Sequence, residues 1–429
     1  MDVGRTAPGH TAEMTVSFFR PARNSILLLL GAAAAAGLLL AYASGSQPGL
    51  GDSFKFGLML LAATAIAFSH LRDPVLALSA VLAPLTGVSL VLCGASNLPA
   101  LLPAGFLAAL VYVLGFAVAL AAGDRFASRV ADGEDSETAA RATLQPDTRR
   151  FASALVFSTA MPCILAVNAP ARLGSIALLL TAGNAVAILS AWFAVPLAGS
   201  FVAGGEDFIA RANRIRESRQ FRFERVAKAA QPPWASSAAG ILVVLLAVAF
   251  FGSARLVVAP ELRRVLLLDI AGAVILLSIA AYLATGAWRR AAAVWVAMAG
   301  ASLFGVWGFA RTGAVFDAPL ALATAELCAI CFLPIAWVAA SAAISGRDDA
   351  AGASEAGLAD GGATAATAFF AALILLLPWY RDIGAADAGF VLAIGFAAGG
   401  ALAFQPAVAS ALEDLVPRRK NLAQRYRVK

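Results

Sequence analysis

Blocks of roughly 18 to 25 consecutive apolar residues follow one another along most of this chain, with short polar breaks between them, and that is the length an α-helix needs to cross a ~30 Å hydrocarbon core. Inside hydrocarbon every backbone N–H and C=O must be paired within the protein, which leaves helices or closed barrels. Barrel strands alternate apolar and polar residues over ~10-residue segments, and these blocks do not alternate. Of 429 residues, 61% are hydrophobic and 14% charged, with a mean hydropathy of +0.81, whereas a soluble domain is about half apolar and a quarter charged. The sequence therefore specifies an all-α integral membrane protein of about twelve transmembrane helices.

The expected spans are 25–43, 53–70, 74–94, 101–122, 151–168, 173–198, 235–253, 265–286, 291–310, 320–343, 364–380 and 388–409. Of the 32 Lys and Arg, seven (Lys55, Arg172, Arg255, Arg263, Arg264, Arg311 and Arg381) fall toward one side and the other 25 toward the opposite side. Positive charge stays on the cytoplasmic face, so both termini are expected in the cytoplasm and the protein in a bacterial inner membrane. Arg20 and Arg23 before an apolar run ending Ala41, Tyr42, Ala43 look like a secretory leader with a cleavage site. The run is long for a leader and has a counterpart in the second half, so it is read as a span.

Two halves repeat. The first span begins near Ser25 and the seventh near Ala235, the last span of each half ends at Pro196 and Pro406, and both pairs are 210 residues apart. A long polar loop is expected between the fourth and fifth spans of each half, at Asp124 to Arg150 and Gly346 to Ala363. The expected organisation is a cytoplasmic tail (1–24), a six-helix repeat (25–200), a linker (201–234), a second six-helix repeat (235–410) and a basic tail (411–429). Even span numbers with both ends inside make the repeat a parallel one.

The linker sets Phe208, Ile209, Ala212, Ile215, Phe223 and Val226 among arginines. Arg211, Arg214, Arg219 and Arg222, with Arg418 and Arg419 of the tail, are candidates for contact with lipid phosphates from a helix lying in the inner interface; a solvated charged linker is the alternative. The net charge of +6 sits at the ends of apolar blocks and not on a basic folded domain, so nucleic acid is not an expected partner. Cys93, Cys163, Cys328 and Cys331 fall inside apolar blocks, where small buried side chains are the expected role; Cys328 and Cys331 lack a nearby His for a metal site. His10 and His70 lie in a tail and at a helix end, without a cluster around them. The chain has no nucleotide loop, dinucleotide fingerprint, H-E-x-x-H or G-x-S-x-G. Neither enzymatic chemistry nor a cofactor is expected.

Acids at membrane depth are functional candidates because an unpaired charge there costs at least ~2.5–3.5 kcal/mol. Two qualify. Glu326 carries a proton or binds a head group, or else is an acid near the outer interface hydrogen-bonded to Thr324. Asp269, five residues from Arg264, is a coupling residue or an interface pair with that arginine.

The run of Gly115, Asp124, Arg125, Phe126, Gly133, Glu134, Asp135, Ala139, Ala140, Ala142, Arg149, Arg150, Ala154 and Leu155 resembles the fourth span, charged loop and fifth-span opening of the resistance-nodulation-division (RND) superfamily, nearest its MMPL-type lipid exporters. Leu173, Gly174, Gly183 and Pro196 resemble its sixth span, and Gly389, Gly395 and Pro406 close the second half in the same way. The resemblance implies an RND-like transmembrane core. Two departures bear on function. Members carry large extracytoplasmic domains after the first and seventh spans, where this chain has only Ala43 to Asp52 and Gly252 to Arg264. Proton-driven members also place a titrating relay in the fourth and tenth spans, where this chain has Phe116, Ala117, Leu333 and Pro334, none of which binds a proton. The resemblance thus implies a transporter relative that handles or senses a hydrophobic, lipid-like substrate without the usual relay. The alternative is a non-transporting accessory or scaffold subunit working with a membrane or periplasmic partner; a lipid-modifying membrane enzyme is a third, weaker reading.

Overall fold

The structure is a computed structural model that describes residues 50–95, 102–144, 148–168, 171–200, 248, 251–252, 254–263, 265–344 and 350–380. The spans expected at 25–43 and 388–409, most of that at 235–253, the arginines expected to contact lipid phosphates (Arg211, Arg214, Arg219, Arg222, Arg418 and Arg419), and Pro406 lie outside the described residues.

The described chain runs α1 (Leu50–Leu71), α2 (Pro74–Leu82), α3 (Leu85–Ala95), α4 (Ala104–Ala131), α5 (Ser136–Leu144), α6 (Thr148–Asn168), α7 (Ala171–Gly199), β1 (Val257–Val258), the single turn α8 (Pro260–Arg263), α9 (Leu266–Thr285), α10 (Trp288–Ala310), β2 (Val315–Phe316), α11 (Ala318–Ile344), α12 (Ala350–Leu376) and a closing 3₁₀ turn, Leu377–Trp379. Among the described residues nine helical stretches are long and apolar enough to cross a membrane, with α2 and α3 together forming one of them. They match the nine expected spans that fall on described residues.

Proline and aspartate punctuate the third span. The Asp73 carboxylate accepts the backbone N–H groups of Val75 and Leu76, both at 2.9 Å, and Pro74 takes the first helical position, which together fix the start of α2. Pro84 then parts α2 from α3, since its ring supplies no N–H to the preceding turn. Against that corner packs Gly115 of α4, where an added Cβ would lie 2.9 Å from both Pro84 Cβ and Ala187 Cβ of α7. Gly115→Leu is accordingly expected to cost about 1–3 kcal/mol by overpacking, read as a lowered melting temperature of the purified protein in detergent. An unchanged melt would show that these helices do not meet there.

Two expected loops are largely helical. In place of a loop from Asp124, α4 continues to Ala131. It ends in a Schellman motif: Gly133 adopts φ +93°, its N–H reaches Val130 O at 3.0 Å and the Glu134 N–H reaches Arg129 O at 3.2 Å. The Arg129 guanidinium holds Glu134 at 3.0 Å. Next comes α5, capped by Asp135, whose carboxyl is held below the usual carboxylate range by the Thr138 hydroxyl and backbone N–H. In place of a loop from Gly346, α12 begins at Ala350.

The core lies around α4 and α11, the two most enclosed spans, while α1 and α9 turn large apolar side chains such as Leu61, Leu267 and Ile275 outward, the face lipid would cover. At one end of the bundle β1 and β2 pair in parallel, Val257 with Val315 and Val258 with Phe316, which fastens the connection leading to α9 onto that between α10 and α11. At the same end Trp379 packs edge-on against Phe56 at 5.1 Å and lies beneath Lys55 Nζ at 5.1 Å, joining α1 to the end of α12.

Candidate functional site

Glu326 stands on the third turn of α11, about 12 Å along the helix from Ala318 at 1.5 Å per residue, with none of its surface exposed. Its partner is Asn184 of α7, also 0% exposed, whose Nδ2 lies 3.0 Å from Oε1 and 2.9 Å from Oε2. The acid therefore joins a helix of the first half to one of the second.

A third helix fixes the amide. Pro162 sits inside α6 and has no N–H for the carbonyl four residues earlier, that of Ser158. Asn184 Nδ2 donates to this freed carbonyl at 3.0 Å. A carbonyl only accepts, so the amide cannot be turned around: one N–H serves Ser158 O, the other serves Glu326, and Oδ1 is left over. Among the described residues Asn184 Oδ1 is buried with no hydrogen-bond partner. Buried polar atoms are almost always satisfied, so an unpaired acceptor beside a buried carboxyl marks a place where a donor or a cation fits.

No ion pair to Glu326 occurs among the described residues. A bare carboxylate in such a place costs several kcal/mol, and a proton or bound cation removes that cost. The arrangement can thus exist in two charge states on either side of a contact between α6–α7 and α11, which is the physical requirement for an ion to bias helix packing.

The Thr324 expected as Glu326's neighbour donates instead to Leu320 O at 2.6 Å; as the residue two before Glu326 it lies on a different face of α11. Asp269 is half-buried near the start of α9 and is hydrogen-bonded by the side chain of Asn168, at the end of α6; Arg264 lies outside the described residues. Phe116 and Ala117 are buried on α4, Phe116 stacked on Tyr112 at 6.0 Å, and Leu333 and Pro334 are buried on α11. Apolar packing therefore occupies the place where the family resemblance puts a relay. Cys328 is buried with its thiol against the Ser302 side chain.

Sequence reasoning missed Asn184 and Ser158. Two signals pointed there: Asn184 is the one asparagine within an otherwise apolar span, and Pro162 must leave the Ser158 carbonyl without its helical donor.

No family profile matches this sequence, and no curated protein does. Solved structures do. The crystal structure of SecDF, a translocon-associated membrane protein from Thermus thermophilus, superposes with a TM-score of 0.66 at 15% identity, covering 85% of this chain and 62% of that one. SecDF in a super-membrane-facing form gives a TM-score of 0.61 at 13% identity over 88% of this chain and 63% of that one. This chain thus spans somewhat less than two thirds of the length of these neighbours, which belong to the RND superfamily. At such identities the likeness is one of architecture, and this chain has an all-helical RND-like membrane fold.

Proposed function

We propose that this multi-pass membrane protein is a transporter relative in which Glu326, held by Asn184, is the group through which a proton or cation biases the packing of α11 against α6 and α7, and that its cargo is a hydrophobic, lipid-like molecule. The observation that carries the coupling role is the fully buried carboxyl whose one partner among the described residues is a neutral amide across two halves of the bundle. The cargo class rests on the resemblance to MMPL-type exporters. Purified protein in liposomes is expected to take up protons when a pH gradient is imposed, read with a trapped pH-sensitive dye, and a lipid-like molecule is expected in the seam between the halves in a density map. Uptake no faster than in protein-free liposomes, with a stoichiometric partner copurifying, would overturn this reading.

A non-transporting accessory subunit is the second reading. It is favoured by the likeness to SecDF, described as translocon-associated, and by the apolar side chains at Phe116, Ala117, Leu333 and Pro334. Neither reading involves enzymatic chemistry.

The orientation follows from the lysines and arginines: both termini, and the α4–α5 end of the bundle, face the cytoplasm of a bacterial cell in the inner membrane. Reporter fusions after Lys429 and within α5 are expected to report an interior location at both points. An exterior result at either one would refute the arrangement.

A further inference from the structure

At the α4–α5 end of the bundle, far along α4 from its start, three helices bring four polar side chains together. His70, the next-to-last residue of α1, is buried, and its Nδ1 lies 3.2 Å from Thr367 Oγ1 of α12. Its Nε2 faces Asp124 Oδ1 of α4 at 3.8 Å. The Thr364 hydroxyl, one turn before Thr367, donates to Asp124 Oδ2 at 2.5 Å. Asp124 and Thr364 lie 240 positions apart in the sequence and His70 and Thr367 lie 297 apart, so His70 looked like an isolated helix-end histidine.

The hydroxyls fix which ring nitrogen carries the proton. Thr367 Oγ1 lies 2.8 Å from Ala363 O, and a carbonyl only accepts, so the single hydroxyl hydrogen of Thr367 goes there. Oγ1 is then an acceptor toward His70, and Nδ1 must be the donor. In the neutral ring Nε2 consequently turns its lone pair toward the Asp124 carboxylate, 3.8 Å away and beyond hydrogen-bond distance. A proton added to the ring lands on Nε2 and turns the same contact into a charge-assisted bond.

Among the described residues this end also carries the charged turn and helix after α4, with Asp132, Asp135, Glu137 and Arg141. Arg125 follows Asp124 on α4, and Arg129 one turn further on is engaged by Glu134. In the corner between α1 and α2, Arg72 adopts φ +54° and Asp73 spends Oδ1 on the backbone of α2. Among its described side chains α12 offers hydroxyls here and no charge.

We infer that His70, Asp124, Thr364 and Thr367 form a second proton-binding site, a latch that ties α12 to α1 and α4 and tightens when His70 takes up a proton. It needs nothing of Glu326, which lies toward the other end of α11. Since α1 and α12 are also joined at their opposite ends by Trp379 and Lys55, releasing the latch frees one end of that pair while the other stays fixed.

The chain has two histidines, so the full-length His10→Ala protein in lipid bilayers, labelled with ¹⁵N-histidine, gives one imidazole in solid-state NMR. The neutral ring is expected as the Nδ1–H tautomer, which water disfavours, and Thr367→Val is expected to return it to Nε2–H. Hydrogen exchange of the segments around His70 and Thr364, corrected for intrinsic rates, is expected to slow on the order of tenfold between pH 8 and pH 5.5, the effect of one charge-assisted bond. Both His70→Gln and Asp124→Asn should remove that response. An Nε2–H tautomer in the parent protein, or a pH response that survives in either variant, would overturn the latch.

Discussion

Glu326→Gln is expected to reduce gradient-driven proton uptake by the reconstituted protein to the level of protein-free liposomes, while the protein still folds and inserts. Glutamine keeps the shape of the side chain and an oxygen that accepts the Asn184 N–H, so the contact between α7 and α11 survives in part. It cannot take up or release a proton. An ion shifts a two-state equilibrium only by its differential affinity for the two states, and the variant leaves no affinity at this position. Uptake equal to that of the parent would remove Glu326 from the coupling path, and the His70–Asp124 pair would then be the titrating cluster to test next. Absence of uptake in parent and variant alike favours the accessory reading.

The spans were legible because bilayer thickness imposes one length on every crossing helix, and a hydropathy reading measures that length directly. It fails where the helix outlives the membrane. At Asp124 the apolar block stops, but the backbone hydrogen-bond ladder continues for two more turns until Gly133 supplies the left-handed residue that closes it. The same holds at Ala350, where polar and small residues continue a helix that composition alone marks as a loop.

The site divides along similar lines. Glu326 was legible as an acid inside an apolar block, because that cost is local. Its partner was not, since Asn184 lies 142 positions away and nothing in a single sequence records which two of the expected spans touch. The guess of Thr324 came from nearness in sequence, and helix geometry rules it out, since residues two apart point to different faces. Proline was the one long-range clue: Pro162 announces an orphaned carbonyl, and an asparagine in a neighbouring span is the side chain that can donate to it and still reach an acid.

The second large effect is expected at Asn184, and a double-mutant cycle separates its structural role from its functional one. Asn184→Leu deletes both donated N–H groups at once, leaving the Ser158 carbonyl and the Glu326 carboxyl buried without partners. Each unsatisfied group costs about 1–3 kcal/mol, and more where the acid is charged, so the single variant should lose several kcal/mol and melt well below the parent in detergent. Glu326→Leu alone should be milder, because it leaves only one donor of Asn184 idle. The double variant, Glu326→Leu with Asn184→Leu, replaces a polar contact by two apolar side chains of similar size, and replacing both partners is often nearly neutral. It is expected to recover much of the stability lost by Asn184→Leu, the shortfall being the Ser158 carbonyl that no leucine can satisfy. Additive losses, with no recovery, would mean that Asn184 and Glu326 do not meet as described. Recovered stability with uptake still absent is the expected combination: it would show that the polar pair is retained at a site where apolar packing holds the helices equally well, and that its use is the movement of charge.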